Sequence, residues 1–160
     1  MKKYEFTGKT KTIHDWRRGT VTLHRIRAVI AFGSVEIGDL GGWIEKEENL
    51  SHEEKAWVYG DAKVYGDAEV YGDAKVCGDA EVCKTSHVLV LGPIGSRNDF
   101  TTFYRDKDNE ITVKCGCFLG KIDKFLQKVT ETHGDNKYAL VYRAAAEVAK
   151  AQIDLSEEEK

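Results

Sequence analysis

The chain reads as a mainly β protein with a C-terminal α+β unit, built around a short β-solenoid of about three coils with three six-residue units to each coil. Three observations predict this. From Ala56 to Cys83 a unit A-x-V-Y-G-D recurs, with Val58, Val64, Val70, Val76 and Val82 in one column and Ala56, Ala62, Ala68, Ala74 and Ala80 in another. A strict six-residue period fits neither a helical turn nor a heptad, but it does fit a coil of short strands separated by corners. After the repeat, helical spacing replaces it from Ile122 onward.

The number of units per coil follows from charge. The residue after each Ala alternates in sign through Lys63, Glu69, Lys75 and Glu81. Two units per coil would stack Lys63 on Lys75 and Glu69 on Glu81 at a strand spacing of about 4.8 Å, where like charges repel. Three units stack Lys63 on Glu81, Glu69 on His87 and Lys75 on Trp57, the last a cation–π pair. Gly60, Gly66, Gly72 and Gly78 supply the corners, each followed by Asp.

These residues carry a resemblance. The V-Y-G-D-A-x unit from Ala56 to Cys83, with weaker units from Ser86 to Leu91 and back to Gly38, resembles the hexapeptide repeat of left-handed triangular β-helices. In that family the aliphatic residue points into the prism and the small residue sits beside a corner. The resemblance implies a left-handed triangular β-helix. It does not by itself imply an activity, because acyltransferases, a carbonic-anhydrase class and structural proteins share the scaffold.

Taken in order, residues 1–37 read as an N-terminal β cap, 38–91 as the solenoid, 92–155 as a β-hairpin with a two-helix unit, and 156–160 as an acidic tail. In the cap, Tyr4 to Ile13 and Val21 to Phe32 read as strands around a His14–Gly19 loop. Residues 1–27 hold eight Lys and Arg against Glu5 and Asp15, a basic front that nucleic acid could meet but that a solvated outer face explains better. Leu40, Ile44 and Leu50 suit inward positions of a first, irregular coil, with His52 falling in the column of Val70, and Glu45, Glu47, Glu48, Glu53 and Glu54 make its loop acidic.

Beyond the solenoid, Phe100–Arg105 and Ile111–Phe118 read as a hairpin. Ile122, Phe125, Leu126 and Val129 then form one helical stripe, closed by His133-Gly134. Tyr138, Val141, Tyr142, Ala145, Val148 and Ala149 form a second, with Asp135 as its N-cap.

Length and charge bound the rest. At 160 residues and a net charge of −3 no global polyelectrolyte role follows, and no apolar run approaches a membrane span. The expectation is a soluble, cytoplasmic protein without a membrane partner. Cys77 and Cys83 replace Tyr in the outward column and are expected as free thiols on different faces; Cys115 and Cys117 form a C-x-C on one face of a strand, without further ligands at zinc spacing. No metal and no cofactor are expected.

The chemical interest lies in Gly92-Pro93-Ile94-Gly95-Ser96-Arg97. Gly92 and Gly95 free the backbone to turn its N–H groups towards an anion, Ser96 offers a hydroxyl, and Arg97 a planar fork for phosphate or carboxylate. Thr101, Thr102 and Tyr104 follow on a strand expected to line the same pocket, with Lys114 as a further helper. The loop is neither a Walker loop nor a dinucleotide fingerprint. For catalysis the pattern is poor: His87, the one His of the regular coils, is expected at the surface over Glu69, and no Ser-His-Asp or Cys-His pairing is visible.

The whole arrangement looks like small hexapeptide-repeat proteins of bacteriophage and prophage genomes. That resemblance implies a protein of the bacterial host's cytoplasm that counters a host defence or serves virion assembly. The leading expectation is a non-catalytic homo-oligomer, trimer or dimer, that binds or sequesters a small anionic, nucleotide-like ligand through Ser96 and Arg97. The alternatives are a structural or protein-interaction module, including one that inhibits a host protein, and a hexapeptide acyltransferase-like enzyme.

Overall fold

The computed structural model describes residues 2–156; of the expected acidic tail only Ser156 lies among them. The chain opens with a hairpin, β1 (Tyr4–Asp15) and β2 (Gly19–Ala28), followed by β3 (Leu40–Ile44). The repeat then contributes four two-residue strands, β4 (Trp57–Val58), β5 (Lys63–Val64), β6 (Lys75–Val76) and β7 (Glu81–Val82). A second unit follows with β8 (Val88–Ile94), β9 (Asp99–Arg105), β10 (Ile111–Cys115), β11 (Phe118–Lys121), α1 (Ile122–His133) and α2 (Lys137–Gln152).

The expected left-handed triangular β-helix of three coils is not what forms. The strands fall into three sheets, ordered β1-β2-β3-β5-β7, β11-β10-β9-β8 and β4-β6, none of them closed or coiled. The reason lies at the two ends of the repeat. At the front, β2 pairs antiparallel with β3, so the five-stranded sheet grows into a hairpin. At the back, residues 86–91, expected as a further repeat unit, divide between a turn, Thr85–His87, and an antiparallel sheet where Val88 to Leu91 face Tyr104 to Thr101.

Strand β9 also covers the open edge of the last units. Lys75 N donates to Thr102 Oγ1 at 3.0 Å, Cys77 N to Tyr104 Oη at 3.3 Å, and Tyr104 Oη to Cys77 O at 2.8 Å. Arg105 Nε donates to Glu81 O at 2.8 Å, and Lys107 N to Asp79 O at 2.8 Å. Edge groups that another coil would have paired are thereby satisfied by side chains and a loop.

Within the sheets the repeat units pair in parallel, Trp57 with Lys75, Val58 with Val76, Lys63 with Glu81 and Val64 with Val82. Opposite charges thus meet where a shorter coil would have set like against like. The first units pair two residues further apart, Trp43 with Lys63, Ile44 with Val64 and Leu50 with Val70. The extra residues sit in the Ser51–Lys55 segment, where Glu54 takes φ +56. Leu50, not His52, therefore occupies Val70's column, and His52 stacks on Tyr4 at 4.1 Å between ring centroids.

The Val and Ala columns, with Ile26, Ile44, Leu50 and Trp57, make one buried core; Phe103, Val113, Phe125, Val129 and the inner face of α2 make a second. Asn49, fully buried, ties adjacent tiers together. Its Oδ1 accepts from Glu45 N and Lys46 N, and its Nδ2 donates to Gly66 O and Ala68 O. Gly66 is required twice over: its φ is +64, and a Cβ there would lie 2.6 Å from Cys83 O.

Much of the basic front is occupied. Lys3 Nζ donates to the carbonyls of Glu53, Glu54 and Ala56, Arg27 pairs with Glu5, Arg18 with Glu45, and Arg25 Nε donates to Gly41 O. Among the described residues no helix is long and apolar enough to cross a membrane.

Candidate functional site

The Gly95–Asn98 segment is the turn between β8 and β9, closed where Ile94 pairs with Asp99 and Asn98 N donates to Gly95 O at 3.2 Å. Gly95 has φ +79, and a Cβ there would overlap the Tyr142 hydroxyl, so the loop lies directly on α2. Facing it across the sheet is the β10–β11 turn, Gly116 and Cys117. Arg97 extends over Gly116, whose missing side chain leaves room for the guanidinium.

Between the loop, that turn and the two helices is a cavity of about 230 Å³. Ser96, Arg97, Lys128, Thr132, His133 and Tyr142 supply its polar wall; Phe118, Phe125, Val129 and the thiols of Cys115 and Cys117 supply the rest. The aromatic floor is ordered, with Phe125 edge-on to Tyr142 at 5.8 Å and His133 stacked on Tyr142 at 5.8 Å. Burial, with Cys115 alongside, raises the Tyr142 phenol above its ordinary pKa, so it stays a neutral donor and acceptor. Among the described residues Arg97 makes no ion pair.

The residues expected to act together divide between two faces of one sheet. Ser96 and Arg97 line the cavity, Gly95 backs it, and buried Thr101 adjoins it by donating to Cys115 Sγ at 3.4 Å. Thr102 is the next residue on β9 and points the other way, where its hydroxyl accepts from Lys75 N. Lys114 pairs with Thr102 on β10 and shares that face, and Tyr104 is fully buried against Cys77. Gly92 lies outside the cavity, packed so that a Cβ would meet Phe100 Cα at 2.8 Å. The helical contribution was missed, although Phe125, Lys128, Val129 and Thr132 fall on one face of α1 by their spacing alone.

Four further expectations change. His87 is not at the surface over Glu69; it is 1% exposed, and its Nδ1 accepts from Cys83 N at 3.1 Å. Burial, assisted by Arg105, Lys84 and Arg17, lowers its pKa to about 4. Cys77 and Cys83 are free thiols but buried, not outward. Cys115 ends β10 while Cys117 sits exposed in the turn, so the C-x-C does not share a strand face. The N-cap of α2 is Asn136, not Asp135, its side chain accepting from Tyr138 N and Ala139 N.

Among the described residues no cluster of three or more His, Cys, Asp or Glu is placed to hold a metal ion. No family model matches the chain, and no curated protein sequence matches it.

Proposed function

We propose that the protein is a non-catalytic binding protein for a small anionic ligand with a planar or apolar part, held in the cavity between the Ser96–Arg97 loop and the two helices. The observation that carries this reading is the pairing, in one cavity, of a guanidinium without a carboxylate partner among the described residues and an aromatic floor. Arg97 and Lys128 supply positive charge, Ser96, Thr132 and Tyr142 supply hydroxyls, and Phe118 and Phe125 supply a surface for a ring. At about 230 Å³ the cavity is smaller than the ~300 Å³ at which pockets for drug-sized ligands begin. It suits a single nucleobase or sugar phosphate, with any larger remainder of a nucleotide-like ligand lying outside.

A thermal-shift series with a nucleoside monophosphate, ADP-ribose and a cyclic dinucleotide tests this, with Arg97→Ala alongside. A ligand at one hundred times its Kd stabilises by about 2.7 kcal/mol, a rise of roughly 5–10 °C for a domain of this size. The expected result is a shift with at least one phosphorylated ligand that Arg97→Ala removes. A shift that Arg97→Ala leaves intact moves the ligand elsewhere.

A second reading, a module that docks a protein or a second copy of itself, is favoured by one feature. Leu140 and Val148, two turns apart on α2, are 62% and 47% exposed. Light scattering on the native chain and a Leu140→Glu variant separates self-association from a monomer.

A further inference from the structure

A second cavity, of about 190 Å³, lies between the β1–β2 turn, the last repeat unit, the end of β9 and Ser156 in the segment after α2, where Asp154 N donates to Ser86 O at 3.1 Å. His87 forms part of its wall. The ring is 1% exposed and its Nδ1 is taken by Cys83 N–H, which places the imidazole proton on Nε2. Among the described residues Nε2–H has no hydrogen-bond partner. Among the described residues Trp43 Nε1 is the one sealed polar side-chain atom without a partner, so His87 Nε2–H is not sealed but within reach of a group that enters the cavity.

Three of the other lining side chains are cationic and two are acidic. Arg17, Arg105 and Lys107 line the same space. Arg105 is held in place by its bonds from Nε to Glu81 O at 2.8 Å and from Nη1 to Asn109 Oδ1 at 3.4 Å, and among the described residues its Nη2 has no partner. Arg17 makes no ion pair among the described residues, and Lys107 reaches only Asp79, at 3.6 Å. Asp15 and Glu81 also line the cavity. Asp15 is already engaged, its Oδ1 accepting from Arg17 N at 2.8 Å and Arg18 N at 3.1 Å.

We propose that this cavity is a phosphate site, in which His87 Nε2–H, Arg105, Arg17 and Lys107 close on the oxygens of a phosphate group, carried by a small phosphorylated ligand or free in solution. Donors from the end of the repeat, the N-terminal hairpin and the end of β9 line one cavity, a mixed set that suits an oxyanion. Trp16, 52% exposed with the Arg17 guanidinium 5.5 Å from its ring centroid, stands at the rim, where a ring attached to the phosphate would stack. The Cys83 thiol lies beneath, 3.7 Å from His87 Nδ1 and 3.9 Å from Arg17 Nη2. The site is independent of the one beside Arg97.

The test is a titration of the full chain with inorganic phosphate and then with AMP. It is followed by long-range ¹H–¹⁵N NMR of the imidazoles and by the rate at which iodoacetamide labels Cys83. Both ligands are expected to shift the His87 Nε2 resonance saturably and to slow labelling of Cys83. Arg17→Gln and Lys107→Gln, both at exposed side chains, should each weaken binding about tenfold, the loss of one charge-assisted hydrogen bond. Lys124→Gln, the same charge change on the outer face of α1, should bind as the native chain does. Tighter binding of AMP with quenching of Trp16 fluorescence identifies a phosphorylated small molecule as the source; equal affinities identify free phosphate. Absence of a saturable His87 shift at tens of millimolar phosphate overturns the proposal. So does a shift that survives unchanged in both glutamine variants, which would mark an adventitious ion only.

Discussion

His87 makes the stability of this protein sensitive to acid in a way that can be read residue by residue. Its imidazole is buried, and Nδ1 is the acceptor for Cys83 N, so protonation must both break that hydrogen bond and place a charge beside Arg105, Lys84 and Arg17. The folded pKa falls to about 4 from the ordinary 6.5. Because the fold favours the neutral ring, the contribution is fully present above pH 6.5 and is lost as pH falls from there towards 4, where the unfolded chain takes up a proton that the folded chain refuses. The span between the two values corresponds to about 3 kcal/mol at most. Urea denaturation of the native chain and of His87→Gln, at intervals between pH 7.5 and 4, measures it. The variant loses stability at every pH through repacking, but its curve should be flatter than the native one by that amount over the window. Parallel slopes would refute the argument, as would an NMR titration placing the His87 pKa near 6.5.

Two further substitutions probe the frame around the sites. Asn49→Leu removes four hydrogen bonds to backbone groups in a buried corner, so unfolding in urea should show a loss of about 3 kcal/mol, with the midpoint falling and the slope unchanged. Gly95→Ala forces a side chain into the Tyr142 hydroxyl at φ +79, and the expected cost is about 2–3 kcal/mol together with loss of any thermal shift from ligands at Arg97.

The repeat announces itself because its period is strict and its charges alternate, and both facts survive in the parallel pairing of Lys63 with Glu81 and Trp57 with Lys75. What the period does not encode is where stacking stops. A coil ends when something else satisfies its open edge, and here the side chains of Thr102, Tyr104 and Arg105 do so from a strand that follows in sequence. Nothing in V-L-V-L, residues 88–91, distinguishes a strand that stacks in parallel from one that pairs antiparallel with β9; the partner decides. The helices and the His133-Gly134 stop were legible because their signals are local, although Val141 and Val148, expected on the buried stripe of α2, are exposed.

The surroundings of the candidate cavities were legible only where the signal is local. Ser96 and Arg97 stand out in a glycine-rich loop, and the loop does face a cavity. Thr101 and Thr102 were grouped by adjacency, yet neighbours on a strand point apart, so only one of them can reach it. His87 failed in the opposite sense. Its column position predicts exposure for as long as the repeat continues, but the repeat ends at Cys83, and the Thr85–His87 turn folds the ring back under the residue four before it. The interruption of the repeat therefore creates the buried Cys83–His87 contact, and the β1–β2 turn and the end of β9 complete the cavity around it. A regular further coil would have continued the Val and Ala columns; the early stop leaves a cavity lined by charged and polar side chains instead.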